Sequence, residues 1–226
     1  MKRLPRSKGS VLVTTFTGIR NKCLVFLWLV IGLAGCSLPS ADLPPTTTYR
    51  ISVPALPPAP ATRAVHLVVH VAYVAPEIAS DAIVLGLPGQ RLDRVANARW
   101  PAPLPAYVQQ QLIRAFSHSG AFRYVSDAPV PGGVNYQLRL ELLDFQADTP
   151  RSAGAPRVQV RIHSILQRLD EVAPRSDTVI RASAEIPASE PRMQAITAAF
   201  DQAFGVVARR LATGVYAALA PRREEN

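Results

Sequence analysis

The chain is poor in the residues on which much protein chemistry depends. It has three lysines, Lys2, Lys8 and Lys22, and none among the following 204 positions. A phosphate-cradling loop that ends in lysine is therefore missing. No Gly-x-Ser-x-Gly elbow occurs, so that route to a serine nucleophile is missing too. There are two cysteines and four histidines. His66 and His70 would share one face of a strand, but they lie about 13 Å apart at 3.3 Å per residue, too far to hold one metal ion between them. His118 falls at a helix end and His163 in an alternating strand. Glu141 and Asp144 have opposite strand parity. Asp144 and Asp148 share parity but flank a solvated loop, so neither pair makes an acid–base couple. No catalytic residue, metal ligand or cofactor site is expected.

Acidic residues are absent before Asp42, and six of the 25 basic side chains lie at or before Lys22. The net charge of +9 and the pI near 10.2 thus come largely from the first segment. Without residues 1–35, 19 arginines face 16 acids, a near balance that argues against nucleic acid as partner. Residues 24–33 are continuously apolar. Basic residues, a short apolar run and small residues before Cys36 describe an export signal over residues 1–35. Cys23 to Gly35 spans only roughly 20 Å as helix, short of the roughly 30 Å core of a bilayer.

Leu33-Ala34-Gly35-Cys36 resembles the lipobox of bacterial lipoproteins. The resemblance implies cleavage between Gly35 and Cys36 and acylation of the Cys36 sulfur. Acyl chains, at about 0.8 kcal/mol per buried CH₂, would hold the domain on a membrane. Ser37 after the cysteine resembles an outer-membrane sorting signal, so the periplasmic face of the outer membrane is expected rather than the inner membrane. No thiol would then remain for a disulfide or a zinc site.

Residues 36–63 hold seven prolines and read as an extended tether, with a short strand at Tyr49–Val53. Val65–Ala75 reads as a buried strand. Asp81–Leu85 and Gln90–Ala96 read as a hairpin around Gly86-Leu87-Pro88-Gly89. Leu104–Ser119 has helical spacing, with Pro105 in the first turn and Gly120 as a stop. Phe122–Val125 is a short strand. Tyr136–Ala147 alternates until the Leu142-Leu143 doublet shifts its phase, which predicts a bulge. Val158–His163 and Ile180–Ile186 alternate as well, and the three segments predict an antiparallel meander with one wet face. Ser189–Leu219 is a long helix, with Ser189 as cap and Pro191 in the first turn; Gly205 and Gly214 weaken it. Residues 222–226 read as a frayed tail. The whole predicts one α+β domain over 64–221, an antiparallel or mixed sheet with two helices on one face.

Arg139, Glu141, Arg161, Arg181 and Glu185 fall on one predicted sheet face, either an ordinary solvated surface or a docking surface. Arg99-Trp100 contains the lone tryptophan after residue 28, an anchor either inside the fold or at an interface. The candidate interface is therefore Arg99, Trp100, Arg139, Arg161 and Arg181.

The order of these features resembles the ABC-type transport auxiliary lipoprotein family: the lipobox, the proline-rich tether, Tyr49-x-Ile51, Arg99-Trp100 before a helix, the Tyr136–Ala147 run and the Ala199–Phe204 helix. The loop from Ala75 to Gly89 departs from the pattern. The resemblance implies an accessory of an MCE-type (Mla-like, paraquat-inducible-type) lipid transport system, without catalysis. Its implied partners are an MCE substrate-binding protein and the ABC permease and ATPase; homo-oligomerisation stays open. A self-standing lipid-binding lipoprotein and a structural envelope lipoprotein are the alternatives.

Overall fold

The computed structural model describes residues 45–59, 61–131, 135–152, 154–169 and 177–220. The expected export signal, Gly35, Cys36, the first part of the expected tether, the whole Asp170–Ser176 loop and the 222–226 tail lie outside them. Residues from Pro45 onward form one compact unit. Its elements are β1 (Thr47–Thr48), β2 (Arg63–Val74), a 3-10 turn (Pro76–Ile78), β3 (Ala82–Leu87), β4 (Arg91–Arg99), α1 (Leu104–His118), β5 (Phe122–Ser126), β6 (Asn135–Asp148), β7 (Arg157–Arg168), β8 (Thr178–Pro187) and α2 (Met193–Ala218).

The β6 strand is the spine. Leu138, Leu140 and Leu142 are buried, and after the doublet Phe145 and Ala147 take their place. The strand keeps both sets on the core side through a bulge at Leu143: the β7 register steps from Leu142–Ile162 to Asp144–Arg161. Without it, every side chain beyond the doublet would change faces. Strands β6, β7 and β8 form the expected antiparallel meander.

On its other side β6 has two partners placed end to end. β2 runs parallel along its first half, from His66–Asn135 to Val74–Leu142. β3 runs parallel along its last residues, from Val84–Gln146 to Gly86–Asp148. The 3-10 turn joins them. The sheet therefore forks into β2–β5 and β3–β4–β1 wings. The parallel β2–β5 pair needs a crossover, and α1 lies in it. The sheet is mixed, both helices cover one of its faces, and the class is α+β.

Between the layers lies an aromatic cluster. Trp100 stacks on Tyr107 and meets Phe145 and Phe200 edge-on, with centroids at 6.2, 5.6 and 5.2 Å. Phe145 stacks on Phe200 at 5.0 Å. Burying such rings supplies a large part of the apolar area that stabilises the domain.

Several sequence expectations change. The short strand is Thr47–Thr48, parallel to β4, instead of Tyr49–Val53. From Ile51 the chain leaves β4 and crosses the helices. Ile51 is buried; its N–H donates to the Tyr107 hydroxyl at 2.9 Å, and that hydroxyl donates to the Ile51 carbonyl. The Ser52 N–H donates to Asp201 Oδ1. Residues 49–59 thus pack as part of the domain, which begins well before residue 64. Gly86 lies in β3, not in the turn. A Cβ there would run into the Asp148 carboxylate. The turn itself uses Gly89 and Gln90, both with positive φ. Ser189 caps nothing: α2 starts at Met193 after an extended Arg192, without a side-chain cap. The Ala188 N–H is still bonded to the Pro156 carbonyl, so the chain is held to the sheet up to the residue before Ser189. Gly214 weakens the helix less than it shapes it, because an added Cβ would overlap the Ile180 side chain.

Candidate functional site

Among the described residues both helices lie on one face of the sheet, and the other face is without a helix; its His66–Val68 end is buried and it is exposed from His70 on. The strand registers assign its rows. His70, Arg139, Ile165 and Val179 stand in line across β2, β6, β7 and β8. Tyr73, Glu141, His163 and Arg181 form the next row, then Asp144, Arg161 and Ser183. Three of the five candidate interface residues, Arg139, Arg161 and Arg181, therefore share this face.

The three arginines differ in their surroundings. Arg161 is spent within the molecule: its Nε lies 2.6 Å from Asp144 Oδ2. Arg139 and Arg181 are exposed and form no ion pair among the described residues. Beside them stand two half-exposed apolar side chains, Tyr73 at 49% and Val179 at 51%. These two were not anticipated. Their signal was a β-branched or aromatic residue at a wet-face position, and the bulge between Val71 and Tyr73 in β2 hid the parity of Tyr73.

The other two candidates separate from this face. Trp100 is 1% exposed and belongs to the aromatic cluster, so of its two readings the interior one holds. An indole enclosed by three rings has no surface to offer a partner. Arg99 lies on β4, two strands from β6, and faces Asp81 at 3.8 Å. The histidines also separate. His66 is buried and bonded to the Ser126 hydroxyl at 2.8 Å, whereas His70 is exposed. Among the described residues, no three His, Cys, Asp or Glu side chains are grouped to hold a metal ion.

Farther along the open face lies a cavity of about 580 Å³, lined by Glu77, residues 86–92, Asp144, Gln146, Asp148 and residues 149–151. Its carboxylates are largely engaged. Asp144 pairs with Arg161, and Asp148 Oδ1 accepts from Gln146 Nε2 at 2.8 Å. Burial pushes the Asp144 carboxyl above the usual range. Arg161 opposes that shift, while the charges of Asp148 and Glu77 add to it.

Among the described residues, no helix is long and apolar enough to cross a membrane.

Two crystal structures share the architecture. Protein XCC0632 from Xanthomonas campestris is 22% identical, with a TM-score of 0.59, over 76% of this chain and 95% of that one. An uncharacterized protein is 11% identical, with a TM-score of 0.58, over 77% of this chain and 99% of that one. At these identities the likeness concerns the fold. No curated protein matches. The family described as ABC-type transport auxiliary lipoprotein component matches residues 49–212. That span runs from the Tyr49 crossing into the last third of α2 and takes in all of β2 to β8, and with it the chain belongs to the ABC-type transport auxiliary lipoprotein component family.

Proposed function

We propose that this protein is a lipid-anchored periplasmic accessory that docks, through the open face of its sheet, on the MCE substrate-binding protein of an ABC-type lipid transport system. The observation that carries the docking surface is the juxtaposition of Arg139 and Arg181 with exposed Tyr73 and Val179 on a face that no helix of the described residues covers. Charged groups at a rim steer association and fix register, and apolar side chains between them supply contact area. Family membership supports the transport role. Acylated Cys36 supplies the anchor, with the outer membrane as address.

In this role the domain binds and positions; it carries out no reaction. The carrier alternative needs a lipid-sized space between sheet and helices. That layer is filled by Trp100, Phe145, Phe200 and Phe204, which weighs against it.

Two measurements test the proposal. Cross-linking and capture of the tagged lipoprotein should recover the MCE component and the permease. The double variant Arg139→Glu, Arg181→Glu should lose them while its thermal unfolding stays unchanged. Unimpaired capture would move the interface elsewhere, and bound phospholipid without any transport component would favour the carrier. Separately, Cys36→Ala should release the protein from the membrane fraction.

A further inference from the structure

The edge strand β1 decides from which side the anchored segment arrives. It is parallel to β4, with Thr47 beside Ala98 and Thr48 beside Arg99. The chain therefore enters β1 from the side of Arg91 and the hairpin turn. Eleven residues separate Cys36 from Thr47, at most about 36–40 Å of extended chain. Because β4 bulges between Arg99 and Arg94, the distance is better counted on β3, where Ala82 (opposite Arg99) to Leu87 (opposite Arg91) is about 17 Å of strand. A tether that continued in the direction of β1 would reach the hairpin with roughly 20 Å to spare. To place a membrane at the opposite end of the sheet, where Tyr124 lies, it would have to turn back on itself within the same eleven residues.

The hairpin end has the side chains a phospholipid surface requires. Arg91 and Arg94 are exposed, and Leu92 between them is 49% exposed. The adjoining loop is tied to the hairpin by the Thr149 N–H and hydroxyl, which donate to the Gly86 carbonyl at 2.8 and 2.9 Å. This tie brings exposed Arg151 to the lining of the same cavity as Arg91. Of the nearby acids, Glu77 lines the same cavity, Asp93 accepts the Arg94 backbone N–H, Asp144 is paired with Arg161 and Asp148 is bonded to Gln146. Arginines beside anionic headgroups gain about fivefold in binding each near the surface.

We propose that the end of the sheet formed by the β3–β4 hairpin and the 149–151 loop rests on the phospholipid surface, with Arg91, Arg94 and Arg151 against headgroup phosphates and Leu92 at the interface. This rests on the Cys36 anchor proposed above. It leaves the Arg139 and Arg181 end of the open face turned away from the membrane, toward a partner.

The test uses the full lipoprotein in vesicles of phosphatidylethanolamine and phosphatidylglycerol. An environment-sensitive fluorophore is attached at Leu92→Cys or, at the other end of the sheet, at Tyr124→Cys, with unsubstituted protein as the labelling blank. The protein should float with the vesicles, and the label at 92 should shift to shorter wavelength while the label at 124 does not. Adding Arg91→Glu and Arg151→Glu should reduce the shift without preventing flotation. Flotation with no shift at 92, or with a shift at 124 alone, overturns the membrane-facing end and leaves the anchor standing. Failure to float overturns the anchor and takes this inference with it.

Discussion

Trp100 and Asp144 show opposite relations between a residue and its surroundings. Trp100 fills the space between sheet and helices. Trp100→Ala should cost about 3–5 kcal/mol, measured by denaturant unfolding, and any loss of partner binding should follow that loss of fold. A variant that stays stable but loses partner capture would return the indole to the interface. Asp144 is held against two other carboxylates with Arg161 as compensation. Asp148→Asn should lower its pKa and Arg161→Gln should raise it further, read by carbon NMR of the carboxyl group. Because the folded pKa lies above the unfolded one, its contribution to stability is present below the unfolded pKa and lost as pH rises through the folded value. Arg161→Gln should deepen that loss on the alkaline side.

At the scale of elements, two contacts bind the layers. The first is the approach of α2 to β8 at Gly214 and Ile180. Gly214→Ala improves helix propensity by about 1 kcal/mol, but the added methyl overlaps Ile180, and overpacking costs about 1–3 kcal/mol. The net effect should be destabilising, and Ile180→Val should recover part of it in a double-mutant cycle. Arg210 on the same helix donates to the Ser183 carbonyl of edge strand β8, a contact that helps cover an edge otherwise open to pairing. The second contact is the crossing segment over Tyr107. Tyr107→Phe removes the hydroxyl that serves both Ile51 groups, at about 1 kcal/mol per hydrogen bond. Hydrogen exchange should then speed up across residues 50–59 and remain slow in β6. Unchanged exchange there would show that Ile51 burial alone holds the segment.

At the scale of the molecule, the forked sheet gives the protein distinct ends. One wing carries β1 and the β3–β4 hairpin. The other wing and the meander present the open face. In the proposed role an anchor and a docking surface must be separated, and β2 and β3 placed end to end along β6 would keep the two wings apart. If Arg139 and Arg181 dock the partner, their charge reversal should abolish capture and leave vesicle flotation intact. Reversal at Arg91 and Arg151 should spare capture. The two sets of variants would thereby show whether the ends act independently.

Periodicity alone located most elements here, because alternation in β6, β7 and β8 and the three-or-four spacing in α1 and α2 are local consequences of burying one face. Even the bulge at Leu143 was legible, as two adjacent leucines cannot both face the core of a regular strand. The charge balance was likewise a property of composition and order. What sequence could not decide was every matter of which distant segment meets which. The burial of Trp100 depends on Phe145 and Phe200, 45 and 100 residues away in the chain. Gly86 looked like a turn glycine until Asp148 was placed over it. Arg161 looked like its neighbours Arg139 and Arg181 until register put Asp144 beside it. The direction of β1 exists only once Thr47 lies against Ala98. Local pattern follows from the chain's own period, whereas contact, register and orientation follow from loop closure across many residues, and only the folded chain determines those.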